Sequence, residues 1–109
     1  MPTRVEWHKG ALEDLVSLDK TIQQRITDAI GRLRQVDNPR LRQVDDPRLR
    51  LVPYVEGLKG YWKLRVGDHR VVCELRRDGE RFVMVIRVVN RNEAYLARNV
   101  RIIRRRSDD

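Results

Sequence analysis

The chain has 109 residues, a formal net charge of +8 and a single cysteine. These numbers exclude an intrachain disulfide and leave little for a Cys/His metal site, so we expect no metal and no cofactor. No apolar run is long enough to span a bilayer and no apolar signal segment begins the chain, which predicts one cytoplasmic domain over residues 1–109. The excess of lysine and arginine favours a polyanionic partner, nucleic acid or an acidic protein; a solvated basic surface is the alternative.

The N-terminal third predicts a short strand followed by two helices. "RVEWH" alternates in polarity, as a strand does, and "KGALEDLVSL" then carries an apolar helical stripe: Leu12, Leu15, Val16 and Leu18. Asp19 can cap the next helix, "KTIQQRITDAIGRLRQV", whose apolar positions also recur at helical spacing: Ile22, Ile26, Ala29, Ile30 and Leu33. We expect the two helices to form an antiparallel hairpin with one apolar face.

A short tandem repeat follows the second helix. "RLRQVDNP" is succeeded at once by "RLRQVDDP". Eight residues are too few for a solenoid unit, so we interpret residues 40–47 as a duplication that lengthens a connection. Such an insertion costs little because loop-closure entropy grows slowly with length. Its arginines could contact a phosphate, but a solvated connector is the favoured interpretation.

From Gly60 onward the apolar pattern has a period of two and predicts a three-stranded antiparallel meander. Gly67-Asp68 is typical of a type II′ turn and Asp78-Gly79 of a type I′ turn, each a two-residue connection. The first turn places Arg65 opposite Arg70, and the second would place Arg70 opposite Arg87. The predicted fold class is therefore α+β, with the helix hairpin packed on one face of an antiparallel sheet.

Alternation then divides the meander into two faces. The predicted core face carries the apolar side chains Trp62, Leu64, Val71, Cys73, Leu75, Phe82, Met84 and Ile86. This position argues against Cys73 as the nucleophile of a Cys–His pair. The other face is predicted to be open and basic, with the side chains Tyr61, Lys63, Arg65, Arg70 and Arg87.

A row of three arginines (65, 70 and 87) across neighbouring strands destabilises a sheet, and a broken local rule often marks a functional site. The alternative is that the long side chains extend into water, paired with Glu74. Fixed cations suit a phosphate that gains charge in a transition state. RNA cleavage needs no external nucleophile, because the 2′-hydroxyl can attack the adjacent phosphate. Tyrosine and lysine are candidates for the proton transfers, since nearby cations lower the pKa of both.

The segment "VVNRNEAYLARNVRIIRRR" follows the last predicted strand. Arg91 and Tyr95 are close enough in sequence to Arg87 to fold over the same face, although Tyr95 could equally anchor the core. Residues 97–109 are interpreted as a basic, disordered tail that adds affinity for RNA or DNA through counterion release.

Two segments, "LKGYWKLRVGDHRVVCEL" and "FVMVIRVVNRNEAY", resemble the RelE/ParE superfamily of bacterial type II toxin–antitoxin toxins. The resemblance covers residues 3–96 and rests mainly on the W-K/R-L-R-x-G-x-x-R-V pattern. It implies a RelE-like microbial ribonuclease fold with the element order already predicted. It also implies a cognate antitoxin encoded beside the toxin, whose acidic, amphipathic segment would complement a basic surface.

In the RelE branch, the resemblance implies a metal-independent endonuclease that cuts mRNA in the ribosomal A site. Carried over by position, the catalytic residues are Lys63, Arg70, Arg91 and Tyr95, and those implied in substrate binding are Tyr61, Arg65 and Arg87. Tyr61 stands where the best-known pattern has a second lysine, and the spacing from Arg91 to Tyr95 is shorter than in some members. The general base is therefore open between Lys63 and Tyr95, with His69 as a substitute on the core side.

Two other functions remain alternatives. The ParE branch shares the fold, lacks the ribonuclease residues and inhibits DNA gyrase. The presence of Lys63, Arg70, Arg91 and Tyr95 favours the nuclease. A non-catalytic nucleic-acid-binding module is compatible with the charge, but no helix-turn-helix or RNA-binding motif supports it.

Overall fold

The computed structural model describes residues 3–35 and 51–109. In chain order the helices and strands are β1 (Arg4–Trp7), α1 (Lys9–Val16), α2 (Lys20–Arg34), β2 (Val52–Pro53), β3 (Trp62–Val66), β4 (His69–Arg77), β5 (Arg81–Asn90) and α3 (Ala97–Ser107). Short 3₁₀ turns span Glu56–Leu58 and Arg91–Glu93. The predicted insertion at residues 40–47 lies outside the described residues. None of these helices is long and apolar enough to cross a bilayer.

The strands form one mixed five-stranded sheet in the order β1-β5-β4-β3-β2. The α+β class is confirmed. Two pairings were not predicted: β1 runs parallel to β5, and β2 pairs antiparallel to β3 at the opposite edge. A parallel neighbour requires a long crossover, and the two helices provide it between β1 and the meander.

Helices α1 and α2 close one face of the sheet, as predicted. The apolar side of α2 is fully buried at Ile26, Ala29, Ile30 and Leu33. The predicted stripe on α1 is wrong in part, because Leu12 and Val16 are exposed whereas Leu15 packs against the core. Helix α1 instead buries Gly10 and Ala11, since it lies along the edge of β5 as well as beneath the sheet.

The first hairpin has the predicted register. Arg65 lies opposite Arg70 and Trp62 opposite Cys73, and Gly67 has a φ of 58°, as the first central position of a type II′ turn requires. Cys73 is completely buried on the core face, and burial raises the pKa of its thiol to about 12.

The predicted register of the second hairpin is wrong. Arg77 pairs with Arg81, so three residues (78–80) make the turn instead of two. Arg4 of β1 binds Asp78 and Glu80 on either side of Gly79 and thereby supports the longer connection. A one-residue shift moves every side chain of the strand to the other face.

A β-bulge changes the pairing of β5 once more. Cys73 pairs with Val85 but Val72 pairs with Arg87, which leaves Ile86 as an extra residue. The predicted positions of three apolar side chains are therefore wrong: Met84 and Ile86 lie on the face away from α1 and α2, and Phe82 packs beneath the Arg4 guanidinium. Their places in the first core are taken by Val83, Val85 and Val88.

The second face of the sheet has a core of its own. Residues 97–107, predicted as part of a disordered tail, form helix α3, and that prediction is wrong. Ile103 of α3 is fully buried against Ile86 and Val89, and Val72 and Leu58 belong to the same cluster. Helical spacing of Val100 and Ile103 gives α3 an apolar side among its arginines, and burial of that side provides the stabilisation. The basic face predicted to be open is thus partly covered.

Candidate functional site

Arg87 does not lie in an open cationic row. It pairs with Val72, not Arg70, and its guanidinium donates to Asp14 of α1 at 2.6 Å and to Asn99 of α3 at 2.8 Å. The Asp14 carboxylate also accepts from Arg106 at 2.7 Å and from the backbone N–H of Val88 at 3.1 Å. We name Asp14, Arg87, Arg106 and Asn99 the Asp14 network. Asp14 forms an ion pair with both arginines, so Arg87 is not a free cation, and the predicted row of three open arginines is reduced to two.

Close packing within the Asp14 network depends on a glycine. A Cβ at Gly10 would lie 2.5 Å from the guanidinium carbon of Arg106, so a larger residue would push the two apart. Arg106 also donates to the carbonyl of Ile86 at 3.0 Å, where the bulge leaves the ladder irregular. The network therefore joins α1, β5 and α3 and serves the fold.

Tyr61 is largely buried. Its side chain is 8% exposed and belongs to the second core together with Tyr54 and Leu58. The residue precedes β3, and its carbonyl accepts from the backbone N–H of Tyr54 at 3.0 Å. Most of the ring is therefore unavailable to a ligand, and the substrate-binding role predicted for Tyr61 stays a prediction.

The remaining predicted cations do come together. Lys63 and Arg65 project from β3, Arg70 lies opposite Arg65 on β4, and Arg91 follows β5. We name these four residues the basic cluster. Arg91 lies beside the hairpin turn, where its backbone N–H donates to the carbonyl of Asp68 at 2.9 Å and its guanidinium lies 3.8 Å from the Asp68 carboxylate.

The basic cluster has little counter-charge. Arg70 donates to the carbonyls of Gly67 and His69 at 3.0 and 2.9 Å, and these acceptors are neutral. Within residues 3–35 and 51–109, Lys63, Arg65 and Arg70 make no ion pair with a carboxylate, and the exposed Asp68 is the only one near Arg91. Apart from the 3.8 Å contact between Arg91 and the exposed Asp68, the cluster can therefore bind an anion without first releasing a carboxylate of the described residues.

Two tyrosines lie beside the cluster. The ammonium of Lys63 lies 5.1 Å from the centroid of the Tyr54 ring, within the range of a cation–π contact. Tyr95 packs edge-on against Tyr54, with ring centroids 5.6 Å apart and an interplanar angle of 84°. Tyr95 is 50% exposed, so it is not a core anchor.

Burial and like charges set the protonation of this site. Partial burial lowers the pKa of Lys63, and the charges of Arg65 and Arg70 lower it further. The pKa of Arg70 is also lowered, first by burial and then by Arg65. Burial raises the pKa of Tyr54, against the smaller effect of Arg70. Lys63 is therefore a side chain whose amine gives up its proton more readily than usual, while Tyr54 keeps its hydroxyl proton.

Tyr54 was missed by sequence reasoning. It stands next to a two-residue edge strand that contains a proline, and no periodic pattern marks it. His69, by contrast, lies where alternation predicts, near Ile22 and Arg25 on the α2 side of the sheet and away from Tyr54 and Lys63. In the described parts of the chain, no three His, Cys, Asp or Glu side chains are grouped to hold a metal ion.

Comparison with known proteins identifies a family. Residues 5–95 match the family model described as the ParE toxin of the type II toxin–antitoxin system parDE. No curated protein matches the chain.

Solved structures of several toxins have a similar fold. The RelBE2 toxin–antitoxin complex from Mycobacterium tuberculosis matches with a TM-score of 0.62 and 23% identity over 83% of this chain and 92% of that chain. The YoeB/ParE toxin from Agrobacterium tumefaciens gives 0.58 and 20%, over 81% and 98%. The free E. coli toxin RelE, in a double arginine-to-alanine mutant, gives 0.58 and 18%, over 97% and 98%. At these identities the likeness establishes the fold.

Proposed function

The chain belongs to the family of ParE toxins of type II toxin–antitoxin systems, within the RelE/ParE superfamily, and we propose that this toxin is an mRNA endonuclease. It acts on mRNA in the ribosomal A site and so inhibits translation. The observation that carries the proposal is the basic cluster, in which Lys63 and Arg70 lie among cations and, within the described residues, form no ion pair with a carboxylate. Such an arrangement suits a scissile phosphate and offers a lysine for proton transfer.

In the proposed reaction, the 2′-hydroxyl of the RNA attacks the adjacent phosphorus. The proton of that hydroxyl passes to the neutral amine of Lys63, while Tyr95 donates its hydroxyl proton to the leaving 5′-oxygen. The bond from O2′ to phosphorus forms as the bond to the 5′-oxygen breaks, which gives a 2′,3′-cyclic phosphate and a 5′-hydroxyl. Lys63 and Tyr95 then return to their starting states by proton exchange with water.

The arginines act on the phosphate in this scheme. Arg70 and Arg91 hold the non-bridging oxygens, which carry more negative charge in the pentavalent transition state than in the substrate. Arg65 has a different role in this scheme. Its charge adds to the effect of burial in lowering the pKa of Lys63, and so increases the fraction of neutral amine near pH 7. Preorganised cations of this kind commonly contribute about 10²–10³-fold to a rate.

Inhibition of DNA gyrase is the second candidate function. The matched family model is that of the ParE toxin, and the chain has Tyr61, buried, where the nuclease pattern has a second lysine. In this alternative the basic cluster would bind a protein or DNA surface without chemistry. Both functions use the same exposed cations, so mutation of the cluster alone does not separate them.

A side-by-side assay separates the two functions. Purified toxin is added to ribosomes programmed with a defined mRNA and, in parallel, to gyrase with relaxed plasmid. The proposal predicts cleavage of mRNA in the A site with 2′,3′-cyclic phosphate ends and normal supercoiling. Loss of supercoiling with intact mRNA would assign the protein to gyrase inhibition and refute the nuclease.

We further propose a cognate antitoxin as partner, since related structures include toxin–antitoxin complexes. The net charge of +8 and the exposed cations favour an acidic segment that covers the basic cluster. An antitoxin that neutralises the toxin should lose much of its affinity when Arg70 is replaced, and more at low than at high salt.

A further inference from the structure

We propose that Tyr54 is an additional phosphate-binding residue of this site, with its ring positioning Lys63 and Tyr95 and its hydroxyl donating to a non-bridging phosphate oxygen. The inference rests on the proposed function for its ligand class, a phosphodiester. Neither the sequence patterns nor the resemblance assigns Tyr54 any role.

The ring of Tyr54 is the shared neighbour of the two residues to which proton transfer is assigned. The first of these residues is Lys63, whose ammonium lies 5.1 Å from the centroid of the Tyr54 ring. The other is Tyr95, which meets the ring edge-on at 5.6 Å. Because Tyr54 is 3% exposed and fixed in the second core, it holds a flexible lysine and a half-exposed tyrosine at set positions.

The hydroxyl of Tyr54 is the second observation. It is buried, and within the described residues it has no hydrogen-bond partner, a condition it shares only with the Nε of Arg4. A buried hydroxyl without a partner destabilises a protein, and a phenylalanine would avoid that cost. An unpaired donor that persists beside a cationic site is therefore expected to serve a ligand.

The charges around the hydroxyl define that ligand as an anion. Burial keeps Tyr54 protonated by raising its pKa, so the group is a donor and not an acceptor-only phenolate. Its electrostatic neighbours are Tyr95, Arg70 and Cys73. Lys63 lies over the same ring, so the cations near Tyr54 are Arg70 and Lys63. A phosphate bound between Arg70 and Lys63 lies on this side of Tyr54. Tyr95 meets the ring in a T-shaped contact and is half exposed, so we expect an anion to reach the hydroxyl by displacing Tyr95 at the loss of one aromatic contact.

The test compares two Tyr-to-Phe variants of the full chain. Inorganic phosphate is titrated into isotope-labelled protein while NMR follows the side-chain signals of Lys63 and Arg70. Tyr54→Phe should bind phosphate about tenfold more weakly than wild type, as loss of a hydrogen bond to a charged group predicts. The melting temperature should stay the same or rise, because no internal hydrogen bond is lost.

Tyr61→Phe is the matched control, since it removes a hydroxyl from the same buried cluster, and among the described residues that hydroxyl is not one of the buried groups without a partner. Its phosphate affinity should stay within twofold of wild type. The inference is overturned if wild type shows no saturable phosphate shift, if Tyr54→Phe binds like wild type, if both variants weaken equally, or if Tyr54→Phe lowers the melting temperature. A toxin that cuts no mRNA but shows the expected phosphate difference would refute the nuclease and leave the role of Tyr54 standing.

Discussion

Arg70 and Arg87 are the same residue type on neighbouring strands, yet the fold gives them opposite environments. Arg87 is held by Asp14 and Asn99, side chains that come from α1 and α3. Within the described residues, Arg70 donates to carbonyls of its own hairpin turn. Its charged neighbours are the cations Arg65 and Arg91 and the carboxylate of the exposed Asp68. The presence of an arginine on a sheet therefore does not define an anion site. An arginine is available to bind an anion only where no other element of the fold places a carboxylate against it.

The coverage of the sheet explains why the two regions differ. Helix α1 lies along the edge of β5, and its Asp14 caps the backbone N–H of Val88, which β1 is too short to reach. Helix α3 covers the second face beside β5. Neither helix brings a carboxylate to β3 or to the start of β4, so the cations there stay available. Mutations in the Asp14 network are therefore expected to change stability, and mutations in the basic cluster are expected to change activity.

The largest effect is expected from breaking the Asp14 network. Asp14→Ala leaves Arg87 and Arg106 partly buried without a counter-charge, and removal of one partner from such a group is strongly destabilising. We expect the free energy of unfolding to fall by about 3 kcal/mol, the low end for a buried pair, because the arginines keep some exposure. Urea denaturation followed by circular dichroism measures it.

Asp28→Ala is the control for this prediction, because Asp28 is an exposed carboxylate on α2 whose partner among the described residues is Gln24. It should change stability by less than about 0.5 kcal/mol. If Asp14→Ala lowers the free energy of unfolding by less than about 1 kcal/mol, the Asp14 carboxylate is not needed as the counter-charge of Arg87 and Arg106.

The next effect is on activity. Arg70→Ala should lower the rate of mRNA cleavage by at least about 10²-fold, because it removes a fixed cation from the transition state. Stability should change by less than about 1 kcal/mol, since Arg70 has no carboxylate partner among the described residues. Single-turnover cleavage on ribosomes and thermal unfolding measure the two quantities.

Arg81→Ala provides the matched control for Arg70→Ala. Arg81 is exposed at the other end of the sheet, next to the turn at residues 78–80. It should retain cleavage within about twofold of wild type. If Arg70→Ala keeps its cleavage activity, Arg70 has no part in the mechanism. If the variant unfolds, Arg70 stabilises the fold, as Arg87 does.

The smallest effect concerns pH. The charge of Arg65 lowers the pKa of Lys63, so Arg65→Gln should raise that pKa towards its usual range. The neutral amine of Lys63 accepts the proton, so the rate increases as pH rises through this pKa, and the rising limb should move to higher pH in the variant. Partly exposed charges interact by less than about 1 kcal/mol, so the rate at pH 7 should fall no more than about fivefold.

The pH profile of single-turnover cleavage tests the Arg65 prediction, with Arg81→Gln as the variant of equal charge change. The Arg81→Gln profile should overlay that of wild type. A shift of the Arg65→Gln limb to lower pH, or equal shifts in both variants, would contradict a local effect on Lys63.

Some elements could be predicted because their determinants are adjacent in sequence. The α2 stripe and its burial follow from helical spacing, and the register of β3 and β4 follows from Gly67 and alternation. That register predicts Arg65 opposite Arg70, and the structure has this pair. The second register failed because Arg4, far away in sequence, selects a three-residue turn and because a bulge at Ile86 adds a residue.

The candidate site shows the same division. Lys63, Arg65 and Arg70 could be brought together by strand periodicity alone, and Arg91 by its position after the last strand. Tyr54 could not be found, because a two-residue strand carries no periodic signal. Tyr61 and Arg87 show that alternation predicts the face of a side chain but not what later packs on that face.

The sequence by itself determined the helix stripe, the first hairpin and the identity of the cations on it, because each depends on backbone preferences over a few residues. Tertiary structure alone decided which cations form an ion pair with a carboxylate. It also decided that residues 97–107 fold as a helix over the second face and that Tyr54 lies beneath Lys63. Counter-charges and burial come from segments distant in the chain, and local preferences carry no information about them.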